Sequence, residues 1–84
     1  MKYQVVVEKA VLKQLEKIPQ QDYIKIKSIL LKLETNPRPQ GYLKLKGRDG
    51  YRVRVGNYRI IYEIKDDQLI VLVITIAHRK DVYE

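Results

Sequence analysis

Tyr51-Arg52-Val53-Arg54-Val55-Gly56-Asn57-Tyr58-Arg59-Ile60-Ile61-Tyr62 reads as a β-hairpin. Period-two alternation marks a half-buried strand, and a Gly-X pair between two such runs is a two-residue hairpin turn. Tyr51, Val53 and Val55 share one side of the first strand, and Arg52 and Arg54 share the other. With Val55 and Tyr58 as the closing pair, Arg54 stands directly opposite Arg59, and Arg52 opposite Ile61. Like charges directly across a strand pair destabilise it. Folding therefore gives little reason for the Arg54/Arg59 pair. An anion-binding site gives a good one, because guanidinium forks match phosphate oxygens.

Working outward, Leu43-Lys44-Leu45-Lys46 alternates and ends at Gly47-Arg48-Asp49-Gly50, which predicts another strand before the hairpin. The hairpin continues to Ile64, and Lys65-Asp66-Asp67-Gln68 is a polar turn. Leu69 to Ile76 is nearly all apolar and β-branched, as expected of a central strand buried on both faces. From Ala77 to Glu84 the chain returns to polar character.

Upstream of the loop Thr35–Gly41 the period is different. Tyr3 to Val7 reads as a short strand. Val11, Leu12, Leu15 and Ile18 give Glu8 to Ile18 helical spacing, and Pro19 ends that helix. Asp22 is a candidate cap for a second helix running to about Glu34, with Tyr23, Ile26, Leu30 and Leu33 as its apolar stripe. Ile24 and Leu31 fall away from that stripe. So short a connection makes the two helices a helical hairpin.

The order of elements predicts a single α+β domain over residues 1–84: an N-terminal strand, a helical hairpin, then a mostly antiparallel twisted sheet with the helices on one face. Tyr51, Val53, Val55, Tyr58, Ile60, Tyr62 and Ile64 should face the helices. Arg52, Arg54 and Arg59 then point to the uncovered face.

Composition narrows the partner. Seventeen Lys and Arg against ten Asp and Glu give a formal charge of +7, which favours a polyanion such as nucleic acid. Lys44, Lys46, Arg48, Arg52, Arg54 and Arg59 lie between Tyr42 and Arg59 with only Asp49 as an acid. The absence of Cys removes disulfides and thiolate metal sites and fits a reducing cytoplasm. One His leaves no histidine-rich metal cluster. With no signal-peptide pattern and no segment of transmembrane length, a cytoplasmic protein with no membrane partner and no cofactor is expected.

These residues carry a resemblance. Leu43-Lys44-Leu45-Lys46-Gly47, Tyr51-Arg52-Val53-Arg54, Gly56-Asn57-Tyr58-Arg59-Ile60-Ile61-Tyr62 and the ending Ile76-Ala77-His78-Arg79-Lys80-Asp81-Val82-Tyr83 resemble RelE-type toxins of the RelE/ParE superfamily. The resemblance implies a type II toxin paired with a RelB-like antitoxin. It further implies a metal-free endoribonuclease that cuts mRNA in the ribosomal A site by attack of a ribose 2′-OH. On the same ground, Arg52, Arg54, Arg59, Arg79 and Tyr83 become the catalytic set; the basic cluster offers Lys44, Lys46 and Arg48 as RNA-binding residues.

RelE proper has lysines where Arg52 and Arg54 stand. Arginine stays protonated and is a poor general base. His78 is then the one side chain suited to proton transfer near neutrality, although packing would account for a lone histidine equally well. If the strand persists past it, His78 and Arg79 point to opposite faces. A ParE-like toxin that poisons gyrase and a nucleic-acid-binding module without chemistry remain the alternative functions.

Overall fold

A computed structural model describes residues 2–81. Its elements run β1 (Gln4–Val7), α1 (Lys9–Glu16), α2 (Gln20–Leu33), β2 (Leu43–Lys44), β3 (Tyr51–Val55), β4 (Tyr58–Lys65), β5 (Ile70–His78) and a 3-10 turn at Arg79–Asp81. The strands form one sheet in the order β1-β5-β4-β3-β2. Only β1 and β5 run parallel, and the other neighbours are antiparallel. This is the expected α+β architecture. No helix of the described residues is long and apolar enough to cross a membrane.

The core lies between the helices and one sheet face. Val11, Ile26 and Leu33 come from the helices, and Val53, Val55, Ile60, Tyr62, Val71, Val73 and Ile76 from the strands. Tyr51, Tyr58 and Ile64 pack against that cluster, so the whole predicted inward set of the hairpin is accounted for. Tyr62 is fully buried, and its hydroxyl donates to the Pro37 carbonyl at 2.8 Å. Burial pushes that hydroxyl up to about 12, which keeps it a donor.

Several boundaries differ from expectation. The first helix stops at Glu16 and not at Ile18, and Leu12 is 52% exposed, off the buried stripe. Asp22 does not cap the second helix. Pro19 takes the cap position, and its carbonyl already accepts the N–H groups of Asp22 and Tyr23 at 3.0 and 2.9 Å. Asp22 sits in the first turn, where a carboxylate suits the helix dipole. β1 begins at Gln4, one residue after Tyr3.

The strand expected over Leu43–Lys46 is only two residues long. Leu45 N–H turns to the Gly50 carbonyl at 3.0 Å, which closes the loop early. Gly50 is buried at φ +132, and a Cβ there would meet Leu45 Cδ1 at 3.2 Å.

The last strand starts at Ile70, because Leu69 adopts φ +55. It is not buried on both faces: Val71, Val73 and Ile76 are buried and their neighbours only half-buried. The spacing of that triplet, two residues and then three, comes from a β-bulge. Ile61 pairs with Thr75 and Tyr62 with Val73, so Ile74 is the extra residue. Downstream of it the parity changes, and Ile76 and His78 fall on the side of Val71 and Val73. Beyond Val73, the last residue paired with β1, Ile76 N–H donates to Gln14 Oε1 at 2.9 Å. That side chain thus closes the strand edge β1 leaves open.

A polar clasp secures the loop between α2 and β2. Asp66 accepts from Arg38 Nη2 at 2.9 Å, from Arg38 Nη1 at 3.3 Å and from the Tyr3 hydroxyl at 2.6 Å. The Arg38 guanidinium also lies 5.6 Å above the Tyr51 ring. These hydrogen bonds, Arg38 first, hold the Asp66 carboxyl below the usual range.

Candidate active site

The hairpin turn fixes the register on which the site depends. Gly56 has φ +59 and Asn57 does not share the positive sign, as a Gly-X turn of type II′ requires. Val55 pairs with Tyr58, Arg54 with Arg59 and Arg52 with Ile61, each as the sequence predicts. Arg59 in turn pairs with Ala77 on β5. Cross-strand partners share a face, so Arg54, Arg59 and Ala77 form one row on the face opposite the helices. Ala77, the smallest side chain of the three, stands next to Arg59 in that row.

A shallow depression of about 270 Å³ opens at this end of the sheet, lined by Arg54, Gly56, Asn57, Tyr58, Arg59 and Arg79. Arg54 and Arg79 are exposed and Arg59 is half-buried. Arg79 arrives from the far end of the chain. β5 ends at His78, and Arg79 N–H donates to the Asn57 carbonyl at 2.7 Å, tying the 3-10 turn to the hairpin tip. Three cations on three separate segments thus meet around one concavity. Such an arrangement can hold a phosphate and stabilise added negative charge on it.

The other predicted residues are placed differently. Arg52 is half-buried on the same face, one row further from the turn with Leu43 and Ile61, and does not line the depression. His78 pairs with Tyr58, in the row of Val55, so the bulge turns it to the other side from Arg59. Its ring meets Tyr58 edge-on at 5.1 Å, and Nδ1 accepts Lys80 N–H at 3.2 Å.

Lys44, Lys46 and Arg48 are exposed. Lys44 pairs with Tyr51, on the opposite side from Arg52, and Tyr51 lies roughly 10 Å along β3 from Arg54. Tyr83 lies outside the described residues. Asn57 and Tyr58 line the depression without having been singled out. The available signal was their place at the hairpin tip, next to the arginine pair.

A family model described as the ParE toxin of the type II toxin–antitoxin system parDE matches residues 5–83. The chain belongs to the RelE/ParE toxin family. RelE1 of Methanocaldococcus jannaschii is 36% identical over 88 residues, a match covering all of this chain and 98% of that protein. The toxin in the archaeal RelE–RelB complex of Pyrococcus horikoshii superposes with a TM-score of 0.86 at 30% identity, covering 98% of this chain and 100% of that one. The match to the RelB–RelE antitoxin–toxin complex of Methanococcus jannaschii has a TM-score of 0.74 at 30% identity, covering 93% and 94%. Among RelE/ParE toxins, then, this chain resembles proteins named RelE over its full length.

Proposed function

We propose that this chain is the toxin of a type II pair and acts as a ribosome-dependent, metal-independent endoribonuclease on mRNA in the A site. The observation that carries the reading is the meeting of Arg54, Arg59 and Arg79 around one depression. In the proposed step the ribose 2′-oxygen attacks the adjacent phosphorus, losing its proton to a base. The bond from phosphorus to the 5′-oxygen breaks, and that oxygen gains a proton. The products are a 2′,3′-cyclic phosphate and a 5′-OH end. The arginines remain protonated throughout. Their part is to stabilise the phosphorane, whose charge exceeds that of the starting diester. Arg52, one row away, extends the cationic track on the same face. Tyr83 is assigned to stacking on a base.

Lys44, Lys46 and Arg48 are assigned to phosphate contacts that hold the complex without taking part in bond cleavage. The proposed antitoxin is RelB-like and acidic where it meets the arginine face, and Ile24 and Leu31 on the outer side of α2 are its second contact. Both are more than half exposed, at 58% and 56%.

Product analysis on programmed ribosomes tests the reading. Cyclic-phosphate and 5′-OH ends at the A-site codon are the expected result. The family model's own description makes ParE-like gyrase poisoning the second reading. A covalent gyrase–DNA complex would establish that one in place of the nuclease. Neither product would leave a binding module.

A further inference from the structure

We propose that His78 is a positioning residue for Arg79 and transfers no proton in cleavage. The proposal rests on the nuclease reading and deepens it. The 3-10 turn Arg79–Asp81 is tied down by two hydrogen bonds of its first residues: Arg79 N–H to the Asn57 carbonyl at 2.7 Å and Lys80 N–H to His78 Nδ1 at 3.2 Å. Nδ1 is therefore the acceptor in this hydrogen bond. A side-chain acceptor reaching the N–H two residues ahead is the contact by which Asn and Asp build Asx turns. Here an imidazole makes it, and the residue enclosed between His78 and Lys80 is Arg79.

The ring's location agrees. Ile74, the bulged residue, turns His78 to the side of Val55 and Tyr58, and the Tyr58 ring meets it edge-on at 5.1 Å. His78 is absent from the lining of the depression that Arg54, Arg59 and Arg79 share. A base must lie within hydrogen-bond reach of the proton it takes. Seated behind the site, His78 reaches the chemistry through the backbone of Arg79.

Three substitutions separate the alternatives. His78→Asn keeps an acceptor at the same distance from the backbone and loses the ring. His78→Phe keeps a ring against Tyr58 and loses the acceptor. His78→Ala loses both. In ribosome cleavage assays His78→Asn is expected to stay near wild type, while His78→Phe and His78→Ala lower kcat about 10–100-fold, the scale of a misplaced catalytic group, with KM little changed. In an Arg79→Ala background His78→Phe should cost nothing further, because the two act as one unit.

Amide hydrogen exchange on the free toxin supplies a readout independent of RNA. The Arg79 and Lys80 amides should exchange faster in His78→Phe than in wild type or His78→Asn. Asparagine as damaging as alanine would restore the imidazole as an acid or base. Full activity in His78→Phe would make ring packing, and not the acceptor, the anchor. Either result overturns the proposal. If wild type cuts no RNA the nuclease reading fails by itself, and the exchange rates still decide whether His78 holds the turn.

Discussion

Arg54 and Arg59 are paired across β3 and β4 against their own electrostatics. Arg59→Ala removes that repulsion, which offsets the contacts the side chain makes. We expect an unchanged or slightly higher melting temperature with cleavage reduced about 10²–10³-fold, the usual loss for a transition-state donor. A large fall in melting temperature with near-normal cleavage would show the pair to be structural. The arginine pair was legible in the sequence because a two-residue turn leaves one register, and register sets every side. Arg79 was legible only through the family's ending, since no local pattern says that a residue following a strand will fold back onto a hairpin tip. The side on which His78 lies was not legible at all. Counting by twos from Val71 places it outward, and the bulge places it inward.

At the scale of elements, the order of strands and helices followed from the switch in apolar period, and the inward face of the hairpin followed from alternation. What failed were features set by hydrogen bonds between distant segments. Leu45 is taken by Gly50, which shortens β2, and Ile76 is taken by Gln14, which lets β5 outrun β1. Neither partner announces itself in composition. The Arg38–Asp66–Tyr3 clasp is of the same kind and makes a prediction about pH. Asp66 is held below its usual range in the fold, so the stability it adds is fully present above the unfolded-state value of about 3.9 and is lost as pH falls through the lower folded value. Asp66→Asn should therefore melt slightly below wild type near neutral pH, with the gap closing in acid. The Arg38–Asp66 pair is exposed, so the gap is small. Thermal melts across the acid range check this, and a gap of constant size down to ~pH 2 would exclude the clasp as its source.

For the whole molecule, a charge of +7 makes encounter with an acidic partner an electrostatically steered event. Association with the antitoxin should slow as ionic strength rises, and an Ile24→Asp/Leu31→Asp variant should bind more weakly. Stopped-flow rates and equilibrium titrations measure the two effects. A rate indifferent to salt would argue against steering, and unchanged affinity in the variant would remove the outer side of α2 from the interface. The additional residue in β5 also has a meaning for how such a site can change by descent. β1 anchors β5 as far as Val73, and β4 pairs with Val73 and Thr75 on either side of Ile74, so loss of the single codon for Ile74 would leave every pairing in place and keep the sides of all that follows. Ala77 would stay beside Arg59, and His78 would stay opposite Tyr58. The bulged residue is thus one that descent can remove without changing which side chains the sheet shows, whereas a single codon gained or lost on β4 between Ile61 and Arg59 would break the row that brings Arg59 to Arg54.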